Sequence, residues 1–187
     1  MPKATPDNHT LSPLPATIEV NLNRLSQLFN SFDPAPFHER DLDRDAEEYI
    51  IGSAEEIPRH HPLLLVIHLP QDQVPSADTP RLDHALHNYF AYRETQERRR
   101  LRLLFHDGRV ALVIGIAFLF CCVLIRKLAL SFGHGTAAEI MAEGMLIIGW
   151  VAMWRPLEIF LYEWVPIRRR CQILRALATI PVTVQPK

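Results

Sequence analysis

Residues Trp154 to Arg170 read WRPLEIFLYEWVPIRRR, so an arginine, a proline and two glutamates interrupt a segment that is otherwise apolar. Arg155 and Glu158 stand one helical turn apart, a spacing at which opposite charges meet on one face. Inside a bilayer such a pair has two readings. Several copies could assemble with Arg155, Glu158 and Glu143 lining a polar path. Alternatively the charges mark where a span ends, and the long Arg155 side chain reaches toward lipid headgroups. Folding the apolar segments back to back about Gly133, His134 and Gly135 places the centre of the first, near Ala117 and Phe118, beside Trp150 and Val151. Arg155 then lies roughly 7 Å below the midplane at about 1.5 Å per residue, and the second reading is expected. The same fold sets Arg126 and Lys127 opposite Glu139 and Glu143, and Arg109 level with Glu158.

His84 and His87, in DHALH, share a helix face at a spacing metal sites use, and His60, His61 or His68 could join them. No third ligand is fixed by local sequence, so surface or hydrogen-bonded structural histidines are expected. FHERDLDRDAEE (37–48) is dense in carboxylates but lacks the order of a calcium loop. Consecutive acids at an exposed helix start do not create the differing environments that acid–base pairs need. The chain shows no glycine-rich phosphate loop, no Ser–His–Asp signal and no nucleotide fingerprint. No catalytic residue and no cofactor are therefore assigned. Cys121, Cys122 and Cys171 suit neither a disulfide framework nor zinc and read as packing residues.

The elements carrying these residues divide sharply in polarity. Positions 110–125, VALVIGIAFLFCCVLI, and 144–154, GMLIIGWVAMW, hold no charged side chain, whereas 1–108 is mixed and charged. A helix crossing about 30 Å of hydrocarbon needs about 20 apolar residues, and a two-helix transmembrane hairpin is expected. The opening residues contain no apolar core of the secretory kind, so insertion would rely on the first span. Arg98, Arg99, Arg100, Arg102 and Arg109 precede the hairpin, and Arg168, Arg169, Arg170 and Arg175 follow it. This bias puts both termini in the cytoplasm, and arginine's excess over lysine suggests a bacterial inner membrane. The basic groups at 98–102 and 168–170 are expected at lipid headgroups, and nucleic acid is not expected as a partner.

The polar portion reads as a small cytoplasmic α/β domain. TIEV (17–20) alternates as a strand, and Asn21 could cap a helix with Leu22, Leu25, Leu28, Phe29 and Phe32 on one stripe. A second helix from about Leu42 to Ile57 is expected, capped by Asp41 or Asp43, with Leu42, Ala46, Ile50, Ala54 and Ile57 facing inward. LLLVIHL (63–69) reads as a strand buried on both faces, parallel to the first. Asp78 or Thr79 begins a third helix, with Leu82, Leu86, Tyr89 and Phe90 inward, which becomes polar all round over RETQERRR and continues as a stalk to a hinge at Gly108. IPVTV (180–184) reads as a strand that returns to complete the sheet, beside TIEV or LLLVIHL.

The expected organisation is an α+β membrane protein: a flexible tail (1–15), the α/β domain of two or three strands and about three helices (16–92), stalk and hinge (93–109), transmembrane helix one (110–130), an outer loop (131–138), transmembrane helix two (139–156), an interfacial and cytoplasmic helix bent at Pro156 (157–179), and a closing strand with tail (180–187). In order of elements this is similar in layout to the CorA type of magnesium channel, whose Gly-Met-Asn signature is replaced here by FGHGTAAE and whose soluble domain is much larger. The layout transfers no residue roles. The function expected is an anchored scaffold, accessory or self-associating subunit that binds a protein partner or its own copies at the lipid bilayer. A channel or transporter subunit is the alternative, and a metal-dependent membrane enzyme the third reading.

Overall fold

The computed structural model describes residues 15–30, 41–58, 61–74, 79–132 and 135–187. The expected tail and the DPAPF break lie outside them, apart from residue 15. The chain mixes helix with a small three-stranded sheet and two long apolar helices, and divides into two compact units.

One unit holds Met1–Arg93 and Ile173–Lys187. Its sheet runs β1 (Ala16–Asn21), β2 (Leu63–Leu69), β3 (Val182–Pro186), all parallel, with β2 central. Val182 and Val184 pair with Leu65 and Ile67, so the last strand closes the sheet beside LLLVIHL. The pleat sends Ile18, Val20, Leu65, Ile67, Leu69, Val182 and Val184 to one face, where the core forms. That core adds Ile50, Ile51 and Ala54 of α1 (Arg44–Glu56) and Leu82, Leu86 and Phe90 of α2 (Thr79–Phe132). Leu174 and Leu177 of α5 (Trp164–Leu177) complete it. The opposite face carries Thr17, Glu19, Asn21, Leu64, Val66, His68, Thr183 and Gln185, of which Val66 alone is buried. The expectation that β2 is buried on both faces is therefore corrected: helices cover one side, and Leu64 and His68 stay half-exposed.

Two local expectations change for identifiable reasons. The helix expected after Asn21 is only a 3-10 turn at Leu25–Leu28, because the Gln27 side-chain oxygen satisfies the amides of Asn23 and Arg24 at 2.9 and 3.1 Å. Asn and Ser compete with the backbone here and disfavour a helix. Leu28, at the end of that turn, and Phe29, extended and bridged to Leu42, still reach the core. Leu42 thus precedes α1, whose N-cap is Asp43, its Oδ1 accepting from the Asp45 amide at 3.0 Å.

The other unit, Glu94–Gln172, is an antiparallel helix hairpin. α2 supplies a seam alternating by four and three residues through Leu101, Phe105, Gly108, Leu112, Gly115, Leu119, Cys122 and Arg126, each at least half-buried. That is a coiled-coil heptad, running through the polar stretch and the apolar one without a break. The returning limb is α3 (Thr136–Ala152), α4 (Trp154–Glu158), a π-helical turn (Ile159–Glu163) and α5. Its seam side buries Ala142, Gly149, Pro156, Ile159 and Cys171.

Small residues set how closely these limbs approach. A Cβ on Gly149 would stand 2.7 Å from Leu119 Cδ1, and one on Gly108 2.8 Å from Ile159 Cγ2. Gly108 is therefore a packing residue inside a continuous helix, not the expected hinge. A Cβ on Gly115 would meet Met153 Sδ at 3.1 Å and the Ala152 carbonyl at 3.3 Å. That carbonyl is the acceptor Pro156 cannot use, since proline lacks the amide hydrogen. The helix breaks at Met153 accordingly.

The region expected as an independent stalk is paired. Glu97 lies 3.8 Å from Arg170, and the Phe105 ring packs on Phe160 and Trp164 at 6.2 and 6.4 Å between centroids. Residues 157–172 consequently remain against α2 and do not turn away at Pro156. Of the expected amphipathic stripe, Phe160 and Trp164 face α2, while Leu157, Leu161 and Val165 are exposed.

Candidate functional site

Strand β1 is an edge of the three-stranded sheet. The ladder to β2 begins with the Ala16 amide donating to Pro62 and ends with Leu22 donating to His68. Alternation then turns Thr17, Glu19 and Asn21 outward. Among the described residues, their amides have no partner, and only the Glu19 carbonyl is engaged, by Tyr49 Oη at 3.0 Å. Tyr49 comes from α1, which runs alongside β1 in the opposite sense: Asp45 and Ala46 lie near Asn21, and Ser53 and Glu56 near Ala16. The strand and helix bound two open grooves of about 660 and 510 Å³ that meet at Tyr49. Glu19 and Glu56 line the first and Glu19, Asp43 and Asp45 the second, and among the described residues no lysine or arginine lines either; the Glu19 carboxylate itself lies 3.8 Å from His68 Nε2. Sequence reasoning read the α1 acids as a solvated helix start, and the β1 edge carried no signal because its neighbours are set by tertiary pairing.

Glu47, on the inner side of α1, is buried. It accepts from Tyr89 Oη at 2.9 Å and Arg93 Nε at 2.7 Å, tying α1 to α2. Burial first, then the hydrogen bond to Glu47, raises the Tyr89 hydroxyl above the ordinary tyrosine value. This group holds the grooved face of α1 in place, and a buried charge with two donors is the usual solution to desolvation.

In the hairpin, Arg155 Nη1 donates to Glu158 Oε2 at 3.2 Å and to Glu163. Eight residues of uninterrupted α-helix would leave Glu163 about 80° around from Arg155, whereas seven leave about 20°. The π turn at Ile159–Glu163 adds one residue to the local turn and restores the shared face. It also keeps Trp164 in the seam eight residues after Pro156. The sequence places Glu158 and Glu163 on the wetter side of the helix but does not pair Glu163 with Arg155, since the π turn has no sequence signature. Glu143 and Arg109 are exposed and lie outside this cluster. Arg126 sits in the seam with its Nε buried, and among the described residues that Nε has no hydrogen-bond partner and no ion pair joins Arg126 to Glu139 or Glu143.

The remaining positions are spread apart. Among the described residues no group of three histidine, cysteine or acidic side chains could hold a metal. His87 Nε2 meets the Ile180 carbonyl at 2.7 Å, anchoring the approach to β3, and His84 Nδ1 meets Asn88 Nδ2 at 3.0 Å. These are the hydrogen bonds the two histidines make. Arg98 pairs with Glu94, Arg100 lies 3.9 Å from Glu97, and Arg168 stacks 5.5 Å from the Trp164 ring centroid. Arg99, Arg102 and Arg169 are exposed, while Arg170 is half-buried beside Glu97. Comparison with protein-family models, curated proteins and solved structures finds no match to this chain.

Proposed function

We propose that the chain is an integral membrane protein whose small α/β domain is an interaction module, held at the bilayer by the helix hairpin as an anchored scaffold or accessory subunit. One observation carries the reading. Residues before the hairpin and after it share a single sheet, β2 pairing with β3, so the polypeptide must leave for the hairpin and return from it in one compartment. Two helices long and apolar enough to cross a membrane, joined by a short connection, meet that requirement. The arginines at 98–102 and 168–170 favour the cytoplasm of a bacterial inner membrane for the domain. The basic termini of the hairpin would meet anionic headgroups.

Partition after alkaline carbonate washing, followed by mass measurement in mild detergent, tests this function. Retention in the membrane with a co-purifying protein or a defined assembly is expected. Release into the wash, or a strictly monomeric particle with no partner, contradicts it. A second reading, an oligomeric channel, draws on the Arg155–Glu158–Glu163 cluster, whose Arg155 side chain is 59% exposed. Ion flux in proteoliposomes, compared with Arg155→Leu, decides it; no flux above empty vesicles removes the channel.

A further inference from the structure

We infer that the outer edge of β1 receives an extended, basic segment of a partner protein, which adds to the sheet as a fourth strand along that edge, beside the Tyr49–Glu19 contact. This rests on the reading of the domain as an interaction module and names the partner's chemistry.

Three features converge. An edge strand presenting a row of unpaired amides and carbonyls is a template for another strand. Here Thr17, Glu19 and Asn21 face outward with their amides unpartnered among the described residues. The other edge, β3, is blunted because Pro186 offers no amide hydrogen. Next, the edge is flanked by α1, so an incoming strand finds side-chain grooves on both sides of Tyr49. Glu19's carbonyl keeps a second lone pair beyond the one Tyr49 uses, and the Tyr49 ring, 54% exposed, offers a face to an arriving lysine or arginine. Finally, Glu56 lines one groove and Asp43 and Asp45 the other, and among the described residues no lysine or arginine lines either.

Charge also selects against the simplest alternative. Two copies pairing antiparallel through β1 about Glu19 would set Glu19 against Glu19, and like charges directly opposite destabilise a sheet. Lysines or arginines at alternate positions of a heterologous strand instead meet the acids, while β-branched residues between them suit the pleat.

The test is selection from a randomised pool of peptides of about ten residues, long enough for one strand, on the full-length protein in detergent micelles. Enriched peptides are expected to be rich in lysine or arginine and β-branched residues, and to bind more weakly in raised salt. Thr17→Pro removes one outward amide and leaves the β2 ladder whole; the loss of one hydrogen bond, about 1 kcal/mol, weakens binding about fivefold. N-methylating alternate amides of a selected peptide should abolish binding in one phase and spare it in the other. This probe needs no variant that folds. Enriched peptides that are acidic, insensitive to Thr17→Pro, or equally affected by both methylation phases overturn strand addition but leave the module reading intact. Failure to enrich any peptide overturns both. Conversion of a dimer to a monomer by Thr17→Pro assigns the edge to a second copy and also overturns the proposal.

Discussion

Gly149 and Gly144 lie on the same helix and differ only in what surrounds them, which makes them a matched pair for testing the hairpin seam. A Cβ at Gly149 would be 2.7 Å from Leu119 Cδ1 and 3.3 Å from Cys122 Cβ, while one at Gly144 would meet nothing within 4 Å. Alanine at either site gains about 1 kcal/mol of helix propensity. At Gly149 this gain is opposed by overpacking, about 1–3 kcal/mol. The Leu119 methyl can rotate away, but the Cys122 Cβ is fixed to its helix, so the lower half of that range applies to alanine and more to leucine. Gly144→Ala should therefore stabilise slightly, and Gly149→Ala should be neutral to about 1 kcal/mol destabilising. At about 2–4 °C per kcal/mol for a chain of this size, the two Tm values should separate by several degrees, in opposite directions from wild type or nearly so. Thermal unfolding in one detergent, followed by thiol exposure at buried Cys122, reads this directly. Gly149→Leu should unfold lower still, and Gly144→Leu should not. Equal shifts of the same sign for both glycines would refute the seam.

The sheet unit and the cluster near Pro156 supply further tests. Glu47→Ala leaves Arg93 and Tyr89 without their shared acceptor and should cost about 3 kcal/mol in urea unfolding, against about 1 kcal/mol for Tyr89→Phe. Because the folded-state value of Tyr89 is raised, its proton is held more tightly folded than unfolded. That contribution is complete below the unfolded tyrosine value of about 10 and is lost as pH rises beyond it; wild type should therefore lose stability above pH 10 more steeply than Tyr89→Phe, and parallel curves would oppose this. Deleting residues 181–187 uncovers the Leu65 and Ile67 edge and should make the sheet unit readily cleaved by protease, whereas unchanged resistance would mean β3 contributes little. Glu163→Gln should lower the thermal stability of the hairpin, and Glu143→Gln should leave it unchanged.

The sequence made some of these features plain and hid others for physical reasons. β2 and the return of β3 were readable because β-branched and leucine-rich runs of strand length need a sheet, and a two-stranded parallel pair would be unstable alone. Acidic residues before an apolar stripe narrowed the α1 cap to Asp41 or Asp43, of which the structure uses Asp43, and Asp78 or Thr79 followed by Pro80 marked where α2 starts, at Thr79. The approximate level of the hairpin limbs was also right: Gly115 meets Met153, and Gly149 meets Leu119. Trp150 and Val151, however, face outward, since the seam runs through glycines and cysteine that carry little hydropathy signal. The same small residues made Gly108 look like a hinge. Arg98 and Arg100 read as a solvated stalk, although Glu94 and Glu97 face inward, because a polar heptad position is hard to distinguish from an exposed one without its partner helix. Glu47 was grouped with its exposed acidic neighbours for want of the distant Tyr89 and Arg93. Glu163 depended on the π turn.

The compartment of the two halves of the sheet is the most direct test of an anchored module interrupted by a membrane hairpin. Single cysteines at Asp72, Gln185 and Gly135, all exposed, in a chain with Cys121, Cys122 and Cys171 replaced, can be labelled with an impermeant thiol reagent in intact spheroplasts and in inverted vesicles. Asp72→Cys and Gln185→Cys should react together and only in inverted vesicles, with Gly135→Cys reacting only in spheroplasts. Labelling of the first two from opposite sides, or of all three from the same side, would contradict the account.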